Sequence, residues 1–153
     1  MKGGGVDFIV VGGVAGGLHG LARATYDLGV CYSRDRANVS RLVAAVEPLH
    51  PYLRGAPSGL PFRWDAATLE RGLNFTLITD DGPLDLLGEI AGAGRYSDLL
   101  PHSTEMDVYG ASCRCASLPA LIRMKRAAGR VKDFLDAAEL EALLEETRKH
   151  ELS

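Results

Sequence analysis

The pair Asp81-Gly82 stands between two apolar runs, Leu73 to Thr79 before it and Pro83-Leu84-Asp85-Leu86-Leu87 after it. An Asp-Gly pair accepts the positive φ of a tight turn whose twist matches two flanking strands, so it predicts a β-hairpin. The first run alternates, Leu73, Phe75 and Leu77 against Asn74, Thr76 and Ile78, as a strand with two unlike faces does. A second hairpin is expected from Met106 to Tyr109, turning at Gly110 and returning through Ala111 to Ala116.

Upstream, Val6 to Val11 is apolar and β-branched and predicts a buried strand that ends at Gly12-Gly13. Val14 to Leu21 reads as a short helix, and its glycines at 16, 17 and 20 suit close packing on a sheet. Thr25 to Tyr32 is a second strand and Ser33-Arg34-Asp35 a turn. A helix then starts at Arg36, with Val39, Leu42, Val43 and Val46 inward, and stops at Pro48 and Pro51. Leu49 to Asp65, rich in proline and glycine, reads as a long loop.

Downstream, Ser117 caps a helix with Leu118, Leu121, Ile122 and Met124 on its inner side. Gly129 interrupts it, and Val131 to Thr147 forms a last amphipathic helix, acidic outside. The order β-α-β-α, then hairpins, then two helices, predicts an α+β fold, a mixed β-sheet flanked by helices. The 153 residues suffice for one core. One domain is expected over 1–153, with a flexible lead at 1–5 and the C-terminal helices at 117–147.

A net charge of -3 argues against a broadly basic nucleic-acid binder, while leaving room for a local basic patch. The three cysteines, Cys31, Cys113 and Cys115, have no C-x-x-C spacing and read as buried reduced thiols, as expected in the cytoplasm. No apolar run approaches the roughly 18 residues of a membrane span, so no membrane partner is expected.

Three constellations carry chemistry. The strand ending in Gly12-Gly13 before a helix presents backbone N–H groups where phosphate is favoured, or else is simply a structural turn. Asp27 and Asp85 each lie in an apolar strand, where a carboxylate needs a partner. They either converge on a hard cation such as Mg²⁺, or face solvent on an edge strand, or pair with Arg23 or Lys125. Arg123, Lys125, Arg126, Arg130 and Lys132 place five cations within ten residues. They form either a solvated face or a contact for phosphate or RNA.

Gly12-Gly13, Arg23-Ala24-Thr25-Tyr26-Asp27, Leu84-Asp85-Leu86-Leu87-Gly88 and the run Lys125 to Asp133 together resemble the minimal nucleotidyltransferase superfamily. Within it, the chain is most similar to the small bacterial group related to the AbiEii-type toxins and the polymerase β-like transferases. The resemblance extends from about Val6 to Glu146. It implies a triphosphate of a bound NTP at Gly12 and Gly13, and a metal-binding Asp-x-Asp at Asp27 and position 29, where this chain has Gly29. It also implies a third carboxylate at Asp85 and phosphate-facing cations at Lys125 and Lys132, with Arg23 and Thr25 positioning the same group. Catalysis would rest on Asp27, Asp85 and Lys125, with Mg²⁺ (or Mn²⁺) held by Asp27 and Asp85.

The implied activity is transfer of NMP to a hydroxyl of RNA, such as tRNA, or of protein, weakened by Gly29. The alternatives are an inactive module of a toxin–antitoxin-type pair, bound to an antitoxin partner, or an RNA-binding protein using the basic helix.

Overall fold

Gly82 adopts φ +112°, and the runs beside it form strands β4 (Asn74–Thr79) and β5 (Gly82–Leu87), antiparallel with Thr79 opposite Gly82. The expected hairpin is therefore present, with Asp80 and Asp81 as its turn and Gly82 as the first residue of β5. This computed structural model describes residues 5–12, 15, 28–57, 59, 61–108 and 111–152. The expected helix at Val14 to Leu21 and the first residues of the second strand lie outside them, except for Ala15, which is buried.

The other strands are β1 (Phe8–Val11), β2 (Leu28–Tyr32), β3 (Tyr52–Leu53), β6 (Ser103–Val108) and β7 (Ala111–Ala116). Together they make one seven-stranded sheet in the order β3-β4-β5-β2-β1-β7-β6. β2 pairs antiparallel with β1 but parallel with β5, and β1 pairs parallel with β7. The sheet is thus mixed. Five α-helices among the described residues flank it: α1 (Arg36–Val46), α2 (Ala66–Arg71), α3 (Tyr96–Leu99), α4 (Leu118–Ala128) and α5 (Val131–Leu152). The α+β class with a mixed sheet and flanking helices is as expected.

Alternation along β2 divides the core. Val30 and Tyr32 pack with Leu77, Leu84 and Leu86 against Val39, Leu42 and Val46 of α1 and Leu69 of α2. Cys31 points to the opposite face, where Ile9, Val11 and Cys115 meet Leu118, Leu121 and Ile122 of α4 and Ala137 and Leu140 of α5. Ser117 caps α4 by accepting from the Ala120 N–H at 3.3 Å, and Gly129 ends the helix with φ +75°. The three cysteines are free and buried, and burial pushes the thiols of Cys31 and Cys115 up to about 11.

Two elements depart from the sequence reading. The expected loop Leu49 to Asp65 contains β3, which pairs antiparallel with β4 through Tyr52↔Ile78 and Leu53↔Leu77. Two residues show no periodicity, so this strand exists only through its neighbour. Beyond it, α2 starts at Asp65, whose carboxylate accepts from the Thr68 N–H at 2.8 Å. Arg34 ties α2 to the sheet, donating to the Tyr32 hydroxyl at 2.7 Å and the Leu69 carbonyl at 3.2 Å. Trp64 anchors the same core and donates its indole N–H to the Val43 carbonyl at 2.9 Å.

Asn38 on α1 is fully buried and clamps the turn after β2 to the start of β1. Its Oδ1 accepts from the Asp7 N–H at 2.6 Å, and its Nδ2 donates to the carbonyls of Asp7 at 3.1 Å and Ser33 at 2.7 Å. Removing it takes this partner from the Asp7 N–H and the Ser33 carbonyl, while the Asp7 carbonyl keeps the Ser33 N–H at 3.2 Å. Asn38→Ala is expected to lower unfolding stability by about 2–4 kcal/mol, measured by urea denaturation with an unchanged m-value.

Candidate functional site

Asp85 sits between Leu84 and Leu86, which face the α1–α2 core, so its side chain emerges on the other face of the sheet. On β2 its partner in the parallel register is Gly29, and on β4 it is Thr76. Gly29 in turn pairs with Val11, the last residue of β1. Gly12 follows Val11 with φ +80°, a backbone conformation that favours glycine. The glycine turn, Gly29 and Asp85 therefore lie side by side across three neighbouring strands, spaced by about 4.8 Å per strand.

This floor is open. Helices α4 and α5 cover the sheet over β1 and β7, whereas Asn74, Thr76 and Ile78, the residues of β4 on the Asp85 side, are exposed. The Asp85 side chain is itself one-third exposed, at 34%. It is not a bare carboxylate. Arg54, in the turn after β3, reaches past β4 and donates from Nη2 to Asp85 Oδ1 at 2.8 Å and to the Leu77 carbonyl at 2.7 Å. Its Nε adds a 3.2 Å bond to the same carbonyl, which fixes the guanidinium in place.

Gly29 is a vacancy in side-chain chemistry but not in space. A Cβ at this position would meet the Val11 carbonyl oxygen at 3.4 Å and Val11 Cγ2 at 3.6 Å, ordinary contact distances. Its φ lies outside the left-handed region, so the strand accepts any L-residue there. A carboxylate at 29 would project beside Asp85.

Of the other residues implied by the resemblance, Gly13, Arg23, Thr25 and Asp27 lie outside the described residues. Lys125 is on α4, which covers the same face of the sheet as Asp85. Its ammonium is turned to α5, 3.7 Å from Asp133 Oδ1 and 3.3 Å from Asp136 Oδ2. Arg126 pairs with Glu141, and Arg130 Nε donates to Asp133 Oδ2 at 2.6 Å. Lys132 is exposed. Three of the five cations of the basic run are thus countered by acids that the chain supplies within the next turns of helix. Lys125 lies on the right side of the sheet but is held by α5.

Sequence reasoning missed Arg54. Its signal was an arginine inside a proline-rich stretch, and only the pairing of β3 with β4 brings it to Asp85. Asp85 does pair with a cation, though neither Arg23 nor Lys125 supplies the bond described here. Among the described residues no three His, Cys, Asp or Glu side chains gather as metal ligands, and no helix is long and apolar enough to cross a membrane. No family model matches the chain, and no curated protein matches it either.

Asp133 is fully buried. The hydrogen bond from Arg130 holds its carboxyl below the usual range, against an opposing effect of burial and with Lys125 adding to the lowering. A depressed folded pKa stabilises the protein above the unfolded value of about 3.9, and that contribution is lost as pH falls through the folded pKa. Stability should therefore fall below about pH 4. Asp133→Asn should flatten this acid limb while lowering stability at neutral pH, as read by urea titrations across pH.

Proposed function

We propose that the chain is a nucleotidyltransferase-fold protein. It takes an NTP on the floor made by Gly12, Gly29 and Asp85 and transfers NMP slowly to a hydroxyl of RNA or protein. The observation that supports this reading most directly is the register. Gly29 and Asp85 are direct partners on parallel strands, with the Val11-Gly12 turn on the next strand. These are the positions at which the resemblance asks for a metal-binding acid, a second acid and a phosphate turn.

The donor chemistry fits a hard cation in part. Asp85 offers oxygen, as Mg²⁺ or Mn²⁺ prefers, but one of its oxygens already accepts from Arg54, and Gly29 offers none. A divalent ion held there, by Asp85, the nucleotide phosphates and Asp27, would supply charge neutralisation at the phosphates. The chain's own residues then have defined roles. The N–H groups at the Gly12 turn hold phosphate oxygens. Asp85 accepts the proton of the attacking hydroxyl as its oxygen bonds to the α-phosphorus, while the bond to the β-phosphate oxygen breaks and pyrophosphate leaves. Arg54, pinned beside Asp85, is placed to face the negative charge that develops.

A glycine at 29 removes one ligand, an effect on the order of 10²–10⁴ in rate. Weak transfer, or binding without transfer, is the consequence. The basic-helix reading receives less support, since Lys125, Arg126 and Arg130 are already paired within the chain.

The experiment uses the full chain with α-labelled NTPs, Mg²⁺ or Mn²⁺, and total RNA, alongside Mn²⁺ binding followed by electron paramagnetic resonance. Gly29→Asp is expected to tighten Mn²⁺ about tenfold or more and to raise label transfer. Asp85→Asn should abolish both. The proposal fails if neither the natural chain nor Gly29→Asp binds Mn²⁺ or nucleotide. Nucleotide binding without label in either protein would leave a binding module and overturn the transferase.

A further inference from the structure

Helix α5 carries apolar residues on two faces. Ala137 and Leu140 are buried against the sheet. On the outward face Val131, Phe134 and Leu135 are 78%, 53% and 55% exposed, and they follow the i, i+3, i+4 spacing of one helical stripe. Ala138 and Ala142 continue that stripe, also exposed. A solvated helix face is normally charged, and three large apolar side chains in adjacent turns leave a patch that water covers at a cost.

The charges around the stripe are arranged by sign along its length. At the N-terminal end stand Lys132, exposed, and Arg130, whose side chain is 64% exposed. Toward the other end stand Glu145 and Glu146, both exposed. Lys132, Glu145 and Glu146 have no ion-pair partner among the described residues. One surface thus has an apolar half that is basic at its edge and, beyond two alanines, an acidic band at Glu145 and Glu146 that Arg148 and Lys149 follow, both exposed. It is complementary to itself when turned through half a revolution.

We infer that this face of α5 is an interface for a second copy of the chain, docked antiparallel across Ala138. The two alanines let the helix axes approach closely where they cross. Phe134 of each copy then lies over Ala142 of the other, with Val131 and Leu135 beside it. The same rotation sets Arg130 and Lys132 of one copy near Glu145 and Glu146 of the other, which favours this register over others. A parallel arrangement would place like charges together and set the helix dipoles side by side in the same direction. The two-fold relation makes every contact occur twice, as in most homodimers. Each pair on the rim is worth little alone, so association rests on the Phe134 cluster and the charges select orientation.

The test is sedimentation equilibrium of the full chain over a wide concentration range, at low and high salt. A monomer–dimer equilibrium weakened by salt is expected. Phe134→Glu should weaken it about tenfold or more with the circular dichroism spectrum and Tm retained, because the side chain is exposed. Lys132→Glu should weaken it less, and combining it with Glu146→Lys, on the same flank of the stripe, should restore it. A chain that stays monomeric throughout overturns the inference, whatever other partner the stripe proves to have. So does a dimer that persists unchanged in Phe134→Glu, or one that the exchange of Lys132 and Glu146 fails to restore.

Discussion

The parallel pairing of β2 with β5 is the constraint on which the rest of the molecule depends. A hairpin cannot join parallel neighbours, so the chain must leave β2, travel over the sheet and come back. In leaving, it lays α1 over one face, reaches the sheet edge at β3, adds α2 to the same face and returns through the β4–β5 hairpin. That excursion closes the first core and brings Arg54 within bonding distance of Asp85. It also sets Gly29 opposite Asp85, because their register follows from Val30 and Tyr32 needing to share a face with Leu84 and Leu86. Slipping β2 by one residue would turn Val30 and Tyr32 out of the core. The floor of the candidate site is therefore as firmly placed as the core beneath it.

Charge is handled locally around that floor. The cations between 123 and 132 look in sequence like a surface for phosphate. In the fold, α4 turns back at Gly129 into a helix rich in acids, and Lys125, Arg126 and Arg130 find Asp133, Asp136 and Glu141. The helical hairpin neutralises itself. Arg54 is different, since its partner is a strand carboxylate on an open part of the sheet. An ion pair about one-third exposed on each side contributes little to stability, while still fixing the direction of a guanidinium.

Local signals in the sequence were legible where one residue settles one conformation. Asp81-Gly82 gave the hairpin, Ser117 the start of α4 and Gly129 its end. The buried strand before Gly12 and the helix after Asp35 followed from apolar spacing. Illegible were features defined by a distant partner. β3 is two residues long and exists because Ile78 and Leu77 lie beside it. The clamp at Asn38 joins residues 31 positions apart, and the Arg54–Asp85 bond spans the same separation. Asp85 was recognised as a strand carboxylate in need of a counterpart, but its neighbour across the sheet depends on strand order, which no local pattern encodes.

Gly29 can be judged against glycines that the fold requires. At Gly88 a Cβ would lie 2.8 Å from the Leu73 carbonyl oxygen, and at Gly92 it would lie 2.6 Å from that of Arg123, with φ +85°. Those positions admit glycine because backbone passes too close for anything else. Position 29 has neither feature. Its backbone is ordinary strand and its Cβ would make normal contacts, so an alanine there would be expected to stabilise the strand slightly. Packing among the described residues accordingly gives no reason for glycine at 29. What glycine changes is the chemistry of the floor, where an acid would set a second negative charge beside Asp85. With Arg54 supplying one fixed cation, Asp85 is electrically balanced without any further ion. An acid at 29 would upset that balance and create a demand for a divalent cation.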